Sequence, residues 1–92
     1  MVAFCQLDIF IPESGSLKEK RFAVKSLKTR IRNKYNVSIS ELDGTDKWQR
    51  VVLGIAIVTN DRKIVDTTFN KIIQFIDNDG RVEILDHFID IF

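Results

Sequence analysis

Apolar positions along this chain follow two periods, and the switches between them mark six elements. In residues 2–11, VAFCQLDIFI, the period is two: Ala3, Cys5, Leu7, Ile9 and Ile11 share one face, and Phe4, Gln6, Asp8 and Phe10 share the other. An apolar, β-rich run closed by Pro12 reads as a strand. The turn PESGS follows. Ser16-Leu17-Lys18-Glu19 then fits a capping box, with Ser16 as N-cap and Glu19 as its reciprocal acceptor. Leu17, Val24, Leu27, Ile31 and Tyr35 fall on one side at helical spacing, which predicts a helix over 17–34.

The alternation returns in NVSISELD, 36–43, with Val37 and Ile39 inward, and in WQRVVLGIAIV, 48–58, with Leu53, Ile55 and Ile57 inward. Asp43-Gly44 opens the short loop between them, so the two strands form an antiparallel hairpin. Asn60-Asp61 caps a second helix over 61–78, whose apolar side is Ile64, Val65, Phe69, Ile72 and Ile76. Asn78-Asp79-Gly80 ends it, with Gly80 expected in the left-handed C′ position. RVEILDHFIDIF, 81–92, is the last strand. Strict alternation sends Leu85, His87, Ile89 and Ile91 inward, and Ile84, Asp86, Phe88, Asp90 and Phe92 outward.

The order is β-α-β-β-α-β. Right-handed crossovers and one hairpin leave one economical arrangement. This is an α+β, ferredoxin-like split βαβ fold, a four-stranded antiparallel sheet with two helices on one face, spanning residues 1–92 as one domain. The uncovered sheet face then carries Phe4, Phe10, Trp48, Arg50, Phe88 and Phe92, more apolar surface than a monomer usually shows. A homodimer through that face is expected from this pattern. RRM-type stacking of single-stranded RNA is not, because VVLGIAIV has no aromatic residue.

Composition adds little until it is resolved by segment. One cysteine, Cys5, cannot form an internal disulfide, and the N-terminal run lacks the basic flank of a signal peptide. No apolar run approaches the roughly 20 residues of a membrane span. The expected location is the cytoplasm, with no membrane partner. The formal net charge is +1, yet residues 17–34 hold eight basic side chains against Glu19. That segment is +7 and the remainder −6, with Asp77, Asp79, Glu83, Asp86 and Asp90 near the end.

At 100° per residue Lys18, Arg21, Lys25, Lys28 and Arg32 fall within about 80° of one another. They make one row about 21 Å long, at ~1.5 Å rise per residue. Four like-charged neighbour pairs cost the helix roughly 1–2 kcal/mol together. Two readings remain open for the row. It is a phosphate-binding stripe that tracks a nucleic-acid backbone, or a solvated face partly paired with Asp66 or the acidic last strand. Arg30 and Lys34 lie across the helix beside Ala23. Phe22 lies opposite the apolar side, either as a lone exposed aromatic or as a group that stacks on a base. Lys20 projects toward the apolar side, so its stem should pack there and its amine reach the sheet edge.

The chain also resembles a known family. Ser16-Leu17-Lys18-Glu19-Lys20-Arg21, then Tyr35-Asn36-Val37-Ser38, then Trp48-Gln49-Arg50, Leu53-Gly54 and Asn60-Asp61 are similar in order and separation to the YlxP-like family of short bacterial proteins of unknown function. The resemblance spans nearly the whole chain. It implies a ferredoxin-like fold and a cytoplasmic bacterial protein. It also implies a gene neighbourhood of translation-factor and ribosome-maturation genes, which points to RNA or the ribosome. It carries over no catalytic residue.

Chemistry is sparse. His87 has no Cys, His or carboxylate at ligand spacing, and Cys5 reads as a core thiol. Glu41, Asp43 and Asp46 fit no EF-hand pattern. The Ser14-Gly15-Ser16 turn is a weak anion signal that ordinary capping explains. The turn after the first strand lacks the arginine of an acylphosphatase loop and the CxxC of a heavy-metal domain. We expect no catalytic residues, no metal, no cofactor and no small-molecule substrate, hence no enzyme. The leading expectation is an accessory protein that binds structured RNA or a ribosomal particle through Lys18, Arg21, Lys25, Lys28 and Arg32. The alternative is a homodimeric interaction module that uses the open sheet face.

Overall fold

The structure is a computed structural model that describes all residues except Glu13, Ser14, Thr45, Asp46 and Trp48. The elements are β1 (Val2–Phe10), α1 (Leu17–Lys34), β2 (Ser38–Asp43), β3 (Arg50–Val58), α2 (Arg62–Asp77) and β4 (Glu83–Ile91). The sheet runs β2-β3-β1-β4, antiparallel throughout. This is the ferredoxin-like arrangement that the sequence pattern predicts.

Local chemistry sets the element ends. The Ser16 hydroxyl accepts from the Glu19 N–H (3.1 Å), and the Glu19 carboxylate accepts from the Gly15 N–H (2.7 Å). Asp61 caps α2 by accepting from the Lys63 N–H (2.9 Å). Gly44 has φ +82°, and a Cβ there would meet the Arg50 carbonyl at 2.7 Å, so the hairpin turn requires glycine. Gly80 is different from expectation. Its φ is not positive, and α2 ends in a turn closed by Asp79, which accepts from the Arg81 N–H (3.1 Å).

The core lies between one sheet face and the helices. Ala3, Leu7, Ile9, Val51, Leu53 and Ile55 meet Val24, Leu27 and Ile31 of α1 and Val65, Phe69, Ile72 and Ile76 of α2. At about 25 cal/mol per Å2 of apolar area, such side chains contribute roughly 1.5–3 kcal/mol each when fully buried.

β4 departs from strict alternation. Asp8 pairs with Asp86 but Ile9 pairs with Ile84, which leaves Leu85 as an extra residue in a bulge. The expected faces are therefore wrong at the start of the strand. Ile84 turns inward and packs against the core, whereas Leu85 is 47% exposed. His87 and Ile89 keep the helix-side register of Leu7 and Cys5 yet remain exposed, Ile89 to 40%. The helix layer stops short of this edge strand.

Candidate nucleic-acid interface

The basic row rests on α1, whose apolar side is pinned to the sheet by Val24, Leu27 and Ile31. Lys20 is fully buried. Its Nζ donates to the Gly44 carbonyl and sits 3.4 Å from the Glu41 carboxylate. It thus clamps α1 to the β2–β3 turn, as its place on the helix predicts. On the other flank Arg30 meets Asp79 at 2.7 Å and lies over the Phe75 ring at 5.5 Å.

These two anchors fix the roll of α1 and so decide where the row points. It flanks β2, the edge strand on that side. Lys18, Arg21 and Lys25 are exposed and Lys28 is half-buried. None of the four makes a hydrogen bond or ion pair with the described residues. The expected pairing with Asp66 or the last strand does not occur: Asp66 faces Arg62 at 3.7 Å. Arg32 is partly committed, because its guanidinium donates to the Ile39 carbonyl on the outer edge of β2 (2.9 Å). Phe22 stands 73% exposed beside the row. A shallow groove under it is lined by Lys25, Ser26, Thr29 and Arg30.

Two features of the opposite, α2-facing flank of α1 escape sequence reasoning. Arg30, across the helix from the row, spends its charge on Asp79. The Arg81 guanidinium first, and Arg30 beside it, hold the Asp79 carboxyl well below the usual carboxylate range, against the opposing effect of burial. Arg81 is raised in turn by the same contact. The second feature is a groove of about 610 Å3 between the C-terminal end of α1 and α2. Lys34 and Lys71 line it beside Tyr35 and Phe75, with Lys34 Nζ 5.0 Å from the Phe75 ring. Helical spacing cannot pair residues on two helices, so this groove has no signature along the chain.

The open sheet face is less bare than expected. Phe4 and Phe10 are half-buried. Phe4 meets Phe88 edge-on at 6.1 Å, and a Cβ at Gly54 would meet Leu42 at 2.7 Å and Phe4 at 2.9 Å. Leu42, overlooked in the alternation, thus folds across the face over Gly54. Arg50 forms a two-pronged contact with Asp8 (2.6 and 3.2 Å). Phe88 and Phe92 stay exposed, and Trp48 lies outside the described residues, as do Asp46 and Ser14. Cys5 is buried, and burial pushes its thiol up to about 11, which makes it a poor nucleophile.

A family model described as a protein of unknown function (DUF503) matches residues 2–89. The chain belongs to the DUF503 family. It is similar to the uncharacterized protein YlxP of Bacillus subtilis (strain 168), at 41% identity over 83 residues, 90% of each chain. The resemblance read from the SLKEKR and WQR segments therefore holds.

In this DUF503 chain several residues that carry the resemblance have architectural work. Ser16 caps α1, Lys20 clamps the hairpin, Gly54 admits Leu42 and Phe4, and Asp61 caps α2. Gln49 donates to the Pro12 carbonyl at 3.0 Å. Lys18 and Arg21 of the same segment have no such task, because they point into solvent along the row.

Proposed function

We propose that this DUF503 protein is a non-enzymatic accessory protein that binds structured RNA or a ribosomal particle in the cytoplasm through the exposed row on α1. The observation that carries the reading is the unneutralised row. Lys18, Arg21, Lys25 and Lys28 repel one another on one rigid helix with no carboxylate of the described residues beside them. Such an arrangement costs stability and is offset when phosphates replace the missing counter-charge. The gene neighbourhood implied by the resemblance points the same way. Among the described residues no helix is long and apolar enough to cross a membrane.

The test is co-sedimentation with ribosomal particles. The wild type should pellet with them at low salt. A Lys18→Ala/Arg21→Ala/Lys25→Ala/Lys28→Ala variant with an unchanged circular dichroism spectrum should stay in the supernatant. A folded variant that still pellets contradicts the reading.

A second reading, a homodimer through the open face, draws on Val58 (77% exposed) and Phe92 (73% exposed). The Asp8–Arg50 pair and the acids Asp86 and Glu83 at the other end of that face work against it. Solutions that remain monomeric at high micromolar concentration would remove it.

A further inference from the structure

We infer that the free edge of β4 is a self-association surface, pairing antiparallel with β4 of a second copy about a two-fold axis at His87. The inference stands independently of RNA binding and differs from a dimer through the open face.

The backbone supplies the first argument. Val2 and Phe92 exchange both N–H···O bonds (3.3 and 2.7 Å), so by antiparallel alternation Asp90, Phe88 and Asp86 also turn their peptide groups toward β1. His87, Ile89 and Ile91 then present theirs to the outer edge. Among the described residues only the neighbouring Asp86 carboxylate reaches the His87 N–H (2.8 Å). An uncovered edge of this length is a template for another strand. No Pro or Lys guards it, and the bulge lies at its start, leaving 86–91 regular.

The side chains supply the second argument. Leu85 and Ile89 are exposed on the helix side, Phe88 (51%) on the open side. The charge pattern then selects the register. In an antiparallel pair, opposed residues share a face, so the axis passes through a residue and its own copy. An axis at Asp86 opposes that acid to itself. An axis at Phe88 sets Asp86 against Asp90 of the second copy. With the axis at His87 no acid faces an acid over 85–89: Leu85 meets Ile89 on the helix side and Asp86 meets Phe88 on the open side. An axis at Ile89 also avoids acid pairs over 87–91 but leaves the exposed Leu85 without an apolar partner. Residues 85–89 are thus complementary to themselves in the His87 register.

Such pairing yields an eight-stranded sheet with both helix layers on one side. The two β2 strands would lie seven strand spacings apart, roughly 33 Å. The two basic rows would then lie at its opposite outer edges.

Sedimentation equilibrium from low to high micromolar concentration tests this on the full chain. The wild type should dimerise. Ile89→Lys places an ammonium in the pairing edge at a half-exposed position and should weaken dimerisation about tenfold or more. Val58→Lys, on the open face away from the edge, should leave the dimer intact. His87→Cys should cross-link to its own copy under mild oxidation, since the paired backbone positions lie about 5.5 Å apart, within disulfide reach. Three results would overturn the inference: a wild type that stays monomeric, a dimer that survives Ile89→Lys but dissolves with Val58→Lys, or a dimer in which His87→Cys does not cross-link.

Discussion

The two flanks of this molecule handle the same problem in opposite ways. Both end in an edge strand with one row of unpaired peptide groups. On the β2 flank the edge is six residues long and carries a bulge. Arg32 occupies its Ile39 carbonyl, and Lys20 locks the hairpin turn. On the β4 flank the strand is nine residues long, the helix layer stops short of it, and Leu85, Phe88 and Ile89 stand in solvent. The sealed flank is cationic and the open flank acidic. A sealed edge beside unpaired cations suits a polyanion. An open edge with self-complementary side chains suits another strand.

The largest expected effect comes from unsealing the β2 flank. Lys20→Ala leaves the Gly44 carbonyl without its donor, strands the Glu41 carboxylate and opens a cavity. We expect a loss of about 3–5 kcal/mol in urea unfolding. Removing the same atoms from the two edge strands gives the next contrast. Ile39→Ala on β2 empties a site only 3% exposed and should cost about 2–4 kcal/mol, whereas Ile89→Ala on β4 should cost less than about 1 kcal/mol at concentrations where the protein is monomeric. Equal losses at the two positions would show that β4 is covered in solution even as a monomer.

A smaller effect than at Lys20 or Ile39 lies between the flanks, where Asp79 ties α1 to the start of β4. Asp79→Asn should cost about 1–2 kcal/mol at pH 7. The folded state holds this carboxyl below its unfolded value. Its contribution is therefore fully present above the unfolded pKa of about 3.9 and is lost as pH falls below it. Thermal melts should show the gap between wild type and variant narrowing progressively as pH falls below about 4. A gap that holds constant across that window would mean that the carboxylate charge is not what matters there.

What could be read along the chain was local. The Ser16 cap, the helical row and the inward turn of Lys20 are set by neighbours three or four residues away, and all three hold. The hairpin and the topology follow from short loops and crossover handedness. The misreadings arise where distant segments meet. Arg30 finds Asp79 across 49 residues, which no helical period encodes. The bulge at Leu85 moves Ile84 inward because β1 sets the pairing, not the alternation within β4. The exposure of Ile89 depends on how far the helix layer reaches, which the apolar pattern does not fix. Among the candidate site residues, the direction of the row was legible and the partial commitment of Arg32 to β2 was not, since it depends on an edge carbonyl from another element.

The cationic flank is the centre of the functional account, and its most direct test is RNA binding by fluorescence anisotropy across a salt series, wild type beside Lys25→Glu/Lys28→Glu. The account predicts that wild-type affinity falls with a log–log slope of roughly −2 to −4, at about 0.7–0.9 per phosphate neutralised. The double variant should lose binding while keeping its fold. Wild type that fails to bind at low salt, or a folded double variant that binds with the same slope, would contradict it.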